Sequence, residues 1–310
     1  MQRRSLLKLT ALAPVAAVHG QIPSTQVSGF QRFRVGQFTG TAFLDGHLQI
    51  GAEAFADLSE AEADELAQAA FLDGGQIDTG VNAYVLQSGD ETILIDAGGA
   101  GAMEPLGGLA GLMEDAGVAA DQVSHILITH LHPDHIGGLL TETGDVVFPN
   151  AKVRIHQADI DGWTTEAALA QAPEGFKPFF EFARKVYLAY EAQVVPFTED
   201  TELVPGVSSR HLPGHTAGHT GFVIEDGDDP LLIWGDIVHV EAYQMPRPDL
   251  AIGFDTNPDL ARETRLALLP EVAGSKHRIA GMHLSFPGIG RVAKDGDGYR
   301  FDAEDWTFEI

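Results

Sequence analysis

The segment Ile126-Leu127-Ile128-Thr129-His130-Leu131-His132-Pro133-Asp134-His135-Ile136-Gly137-Gly138 joins an apolar run directly to three imidazoles and a carboxylate. Such a run reads as a buried strand that releases polar residues at its end. His130 and His132, two positions apart, point the same way from extended backbone. Pro133 suits the opening of a helix, which would carry Asp134 and His135 back to the same spot. Gly137 and Gly138 remove side chains where backbone passes close to a neighbour. The result is a set of nitrogen and oxygen donors suited to zinc and similar first-row metals.

Matching stations lie downstream. In Pro213-Gly214-His215-Thr216-Ala217-Gly218-His219 the glycines mark a tight loop, so His215 can face a metal while His219 braces the loop by hydrogen bonding. The apolar run ending at Trp234 leads to Gly235-Asp236, a carboxylate suited to bridge two cations. Ile279-Ala280-Gly281-Met282 delivers His283 in the same way. Upstream, Ile93-Leu94-Ile95 delivers Asp96, which either hydrogen-bonds a ligating histidine from behind or caps a turn. His130, His132, Asp134, His135, His215, Asp236 and His283 are too many donors for one tetrahedral zinc; they suit two divalent ions with open positions. Zn2+ is the default, and Mn2+, Fe2+ and Co2+ are compatible. Two cations about 3.5–4 Å apart hold a bridging water and lower its pKa from about 15.7 toward neutrality, which makes a hydroxide nucleophile. Asp134 and Asp236 are the catalytic candidates, Asp134 as the group that orients the nucleophile and carries a proton. His47, His125, His156, His211 and His277 fit no ligand pattern and read as structural or solvated.

Composition narrows the alternatives. The chain has 310 residues, 44% hydrophobic, enough for one large core or two fused halves. A net charge of -26 argues against nucleic acid as a partner. Cysteine is absent, which removes disulfides, thiol nucleophiles and thiolate zinc ligands together. Residues 1–20 read as a targeting segment: Arg3-Arg4 precedes a modest apolar stretch, Leu9 to Val18, too brief to span a membrane. Paired arginines there suggest a twin-arginine-type export signal. That leaves 21–310 as a single hydrolase domain, periplasmic or secreted, with no membrane span after processing and a homodimer left open.

The periodicity predicts a strand over 33–41, a helix over 59–71, a hairpin of 81–86 with 92–95, a helix over 104–116 and a strand over 123–128. Short strands follow at 146–148 and 152–156, then a helical stretch over 158–192 broken near 173–175 and 178. Strands over 221–225 and 231–234 and a terminal hairpin over 290–308 complete the set; the remainder reads as loops. Two β-rich segments with helices between them predict an α/β protein of αββα type, two mixed sheets packed face to face and flanked by helices.

The His-x-His-x-Asp-His pattern at 130–135 resembles that of the metallo-β-lactamase superfamily. His283-Leu284-Ser285-Phe286-Pro287-Gly288-Ile289-Gly290 is similar to the methyl parathion hydrolase and lactonase branch, and the likeness runs from about Phe33 to the C-terminus. It implies the same αββα fold. It also implies that His130, His132 and His215 hold one metal, that Asp134, His135 and His283 hold the other, and that Asp236 bridges them. His239, Ile252 and Phe254 resemble the lactone-hydrolysing members, where the organophosphate hydrolases favour Leu, Thr and Leu, and are candidate substrate-binding residues, His239 as a hydrogen-bond partner of a lactone or its leaving alkoxide. Trp163 and Phe179 are the candidate pocket aromatics. The implied substrate is a small, neutral, apolar lactone or aryl ester, with promiscuous phosphotriesterase activity; organophosphate triester hydrolysis is the alternative, and a β-lactamase a more distant one.

Replacing Arg3 and Arg4 with Lys is expected to hold the protein in the cytoplasm, as read by fractionation and blotting. Undisturbed export would contradict the twin-arginine reading.

Overall fold

The computed structural model describes residue 27 and residues 29–310, so the expected export signal lies outside the described residues. The first sheet takes β1 (Phe30–Val35), β2 (Phe38–Ile50), β3 (Ile77–Ser88), β4 (Glu91–Ile95), β5 (His125–Leu127) and β6 (Lys152–Arg154) in chain order. The second takes β7 (Glu202–Val204), β8 (Val207–His211), β9 (Thr220–Ile224), β10 (Leu231–Ile233), β11 (Arg278–Ala280), β12 (Ile289–Asp295) and β13 (Gly298–Ala303), again with sequence neighbours side by side. The helices are α1 (Glu60–Ala69), α2 (Leu109–Asp115), α3 (Pro133–Ile136), α4 (Gln157–Trp163), α5 (Glu166–Gln171), α6 (Lys177–Tyr190), α7 (Glu241–Gln244) and α8 (Pro258–Ser275). This is the αββα sandwich that the alternation of strands and helices predicted.

Continuous apolar runs work here because the central strands are buried on both faces. Period two divides each run between two cores. Tyr84, Leu86, Ile93 and Ile95 point inward to meet Phe222, Ile224, Leu231 and Ile233 of the opposite sheet. Ala83, Val85 and Leu94 point outward, beneath α2, α4 and α6. Leu232 and Ile279 do the same beneath α8. Each such Leu, Ile or Phe contributes about 1.5–3 kcal/mol relative to exposure.

Pairing direction then places the site. β4 runs parallel to β5, and β10 runs parallel to β11. Parallel neighbours end on the same edge, so Asp96 and His130 leave one sheet together, while Asp236 and His283 leave the other.

Several elements differ from expectation. The single strand expected over 33–41 is a hairpin, because Gly36 (φ +52°) turns the chain between Val35 and Phe38. The helix expected from Glu104 begins only at Leu109, where the Asp45 carboxylate of β2 accepts from the Gly107 and Leu109 amides at 3.1 and 2.8 Å. Residues 146–148 form only a bridge between Leu140 and Val146. Pro178 opens α6 rather than breaking a longer helix, as fits a residue without an amide hydrogen. The largest departure is α8, which occupies a stretch read as loop. Asn257 caps it by accepting from the Leu260 amide at 3.2 Å, and Pro270 inside it disguises the pattern.

The two glycines after the histidine cluster pass against the turn that follows β4. A Cβ at Gly138 would stand 2.1 Å from the Ala97 carbonyl oxygen, whereas one at Gly111 of α2 would meet nothing within 4 Å. Gly138→Ala is therefore expected to destabilise the protein by about 1–3 kcal/mol. Gly111→Ala, on an exposed helix face, is expected to stabilise it by about 0.5–1 kcal/mol. Denaturant midpoints measure both, and equal tolerance of the two changes would contradict this packing.

Candidate metal centre

His130, His132, Asp134, His135, His215, Asp236 and His283 are all buried and converge in the cleft between the sheet edges. His215 Nε2 lies 3.1 Å from His130 Nε2 and 2.9 Å from His132 Nδ1. Asp134 Oδ2 lies 3.4 Å from His135 Nε2 and 3.5 Å from His283 Nε2. Between these trios Asp236 Oδ2 reaches His215 and His135 at 3.3 Å each and His283 at 3.1 Å. Every residue that the sequence singled out as a ligand is thus brought together, in the grouping that the resemblance implied.

The far sides of the rings are held too. His135 Nδ1 lies 2.7 Å from Asp96 Oδ2, which also accepts from the Thr129 hydroxyl, and Asp96 Oδ1 accepts from the Thr129 amide at 2.8 Å. Asp96 therefore does both things that the sequence allowed it: it orients a histidine and ties down the turn. His283 Nδ1 approaches the Gly80 carbonyl at 2.9 Å, and its loop is held by Asn82 Nδ2, which donates to the Gly281 and Leu284 carbonyls. His219 braces as expected, accepting from the Asp236 amide at 2.9 Å while its Nδ1 meets the Leu212 carbonyl at 2.7 Å. Such supporting partners fix ring orientation and tautomer.

Two supports escaped the sequence reading. Asp255 Oδ1 lies 2.8 Å from His215 Nδ1, and its other oxygen accepts from the Ile252 amide. Asp159 accepts from the Leu131 and Gly218 amides and the Thr216 hydroxyl, which joins the His130–His132 loop to the His215 loop. Burial pushes its carboxyl up to about 6. Neither residue sits in a motif, and nothing local sets it apart from other carboxylates.

The donor set fits divalent cations. His130 and His215 aim Nε2 at one another at 3.1 Å, and His135 Nε2 and Asp236 Oδ1 are buried without a hydrogen-bond partner among the described residues. Unpaired buried donors and acceptors are costly, and cations among them satisfy several at once. Burial opposes charge on Asp236, yet His135 and His283 hold it well below the usual carboxylate range. Burial likewise opposes protonation of His215, but Asp236 and Asp255 push it up to about 9. Buried carboxylates here demand positive charge nearby, whether from protons or metals.

The mouth above this cluster is lined by Leu48, Ile50, Met103, Phe179 and Phe254, with His132, His215, His239 and His283 at its base. Phe179 and Phe254 thus line this mouth. Trp163 does not: it packs edge-on beneath His132, ring centroids 4.8 Å apart, and stacks on Phe180. Ile252 also lies away from the mouth, buried with Phe55, Tyr243 and Leu250. Both are apolar and buried, and a sequence cannot say which side of a core they serve. His239 sits in the cluster itself, its Nε2 3.2 Å from Asp236 Oδ2.

The family model of the metallo-beta-lactamase superfamily matches residues 77–283, and the chain belongs to that superfamily. An N-acyl homoserine lactonase from Bacillus sp is 27% identical over 160 residues, 51% of this chain and 55% of that protein. The chain spans 61% or less of the length of each curated relative it matches. Among solved structures, a hydrolase of the beta lactamase superfamily, AbOPH, superposes with a TM-score of 0.85 at 30% identity, covering 91% of this chain and 100% of the other. AidC, a dizinc quorum-quenching lactonase, gives 0.84 at 26%, covering 91% and 99%.

Asp96→Ala is expected to weaken binding of one metal equivalent about 10–100-fold, the usual effect of removing a group that orients a ligand. Chelator competition reads the change. Wild-type affinity for both equivalents would show that Asp96 serves the turn alone.

Proposed function

We propose that the chain is a two-metal hydrolase that opens small apolar lactones or aryl esters. The observation that carries this reading is a buried histidine and carboxylate cluster at the foot of an apolar mouth. In this reading His130, His132 and His215 would hold one ion, Asp134, His135 and His283 would hold the other, and Asp236 would serve both, with Zn2+ the default metal. When bound, such ions polarise the scissile carbonyl and lower the pKa of an attacking water.

The chain's own residues do the rest. Phe179, Phe254, Leu48 and Met103 seat the apolar part of the substrate and exclude water from the cleft. Burial opposes ionisation of Asp134, but His135 and His283 outweigh it and hold the carboxyl below its usual range. As a carboxylate it can accept a hydrogen bond from the attacking water and carry a proton to the leaving group. His130, His132 and His215 are kept in place by the Asp159 and Asp255 carboxylates. The apolar lining favours neutral substrates, and the lactonases among the relatives support the ester class. Arg3-Arg4 supports export to the periplasm or beyond.

The test is turnover of the purified, metal-loaded protein on dihydrocoumarin, acyl-homoserine lactones, methyl paraoxon and nitrocefin. Lactone or aryl ester kcat/KM is expected to be highest, with weak triester turnover. Triester turnover above lactone turnover would reverse the order, and nitrocefin as the best substrate would make the protein a β-lactamase.

A further inference from the structure

His239 lies three positions after Asp236 and is absent from the ligand set that the family resemblance implies. Its Nε2 stands 3.2 Å from Asp236 Oδ2, inside the 3.1–3.6 Å spread that His130, His135, His215 and His283 show to the same oxygen. Donors bound at about 2.0–2.2 Å to one ion stand about 3.0–3.4 Å apart for angles between square and tetrahedral. The His239 spacing is that of two ligands on one ion. Donor atoms of His215, Asp236 and His239 lie within 4.8 Å of one another, as in the trios already described.

The ring has little else to do and little freedom to leave. It is 3% exposed, and neither of its nitrogens has a hydrogen-bond partner among the described residues. A buried polar group left so is costly unless something binds it. Gln244, itself fully buried, fixes the backbone here: its Oε1 accepts from the His239 and Val240 amides at 2.7 and 3.3 Å, and its Nε2 donates to the Leu250 carbonyl. The imidazole is held between two ligand rings, stacked on His283 at 5.1 Å and tilted against His215 at 4.7 Å.

We infer that His239 is a further ligand, through Nε2, of the ion held by His130, His132 and His215. This rests on the two-metal reading above and extends it. Four imidazoles with the Asp236 carboxylate exceed the tetrahedral preference of zinc. That position would therefore also accommodate ions that readily take higher coordination numbers, Mn2+, Fe2+ or Co2+.

The full chain loaded with Co2+ tests it, with His239→Phe and His239→Gly as variants. In His239→Phe one of two Co2+ equivalents is expected to bind at least about tenfold more weakly. Its visible absorption should strengthen, since lower coordination gives more intense cobalt bands. Added imidazole should restore the wild-type affinity and spectrum in His239→Gly, which also covers the case that the Phe variant does not fold. Two equivalents bound with wild-type affinity and spectrum in both variants would overturn the inference. Reduced lactone turnover under those conditions would make His239 a substrate contact and leave the lactonase reading standing. Wild-type protein that takes up fewer than two equivalents would instead remove the two-metal reading on which the inference rests.

Discussion

The Asp236 carboxylate is the constraint on which the rest depends. It is buried among the rings of His130, His135, His215, His239 and His283, where water cannot solvate it. An isolated ionised carboxylate in such a place costs far more than a domain's net stability, unless positive charge is adjacent. Protons on His135 and His215 can supply that charge, and so can divalent cations. The second option also satisfies the ring nitrogens left without partners.

The two sheets exist, in functional terms, to bring strand ends to that carboxylate. The parallel pair β4–β5 in one sheet and β10–β11 in the other each send two chain segments out of the same edge, and the shared apolar core sets the edges against each other. Loops alone would not hold donor atoms to tenths of an ångström. Buried strands do so because a register slip would turn every apolar side chain to the wrong face. The supporting carboxylates Asp96, Asp159 and Asp255 then take up the remaining freedom of the loops.

Much of this was legible in the sequence, for a physical reason. A ligand-type residue just beyond an apolar run or in a tight glycine loop is a local pattern, and four such stations, at 130–135, 215, 236 and 283, are hard to read as anything but convergent. What could not be read depends on tertiary contact. Asp159 and Asp255 are two among 45 acidic residues, marked only by what folds against them. The α8 helix was hidden by Pro270, and the start of α2 is set by Asp45 reaching across from β2. Trp163 and Phe179 look alike as aromatics of one segment, yet one supports His132 from below and the other lines the mouth.

The most direct measurement is the metal content of the purified protein, set against the fraction of molecules that is catalytically active. Two divalent ions per active chain is the expected result, with both activity and the second ion lost when Asp236 is replaced by Ala. Full activity with one ion or none, or full activity surviving the loss of the Asp236 carboxylate, would contradict the account.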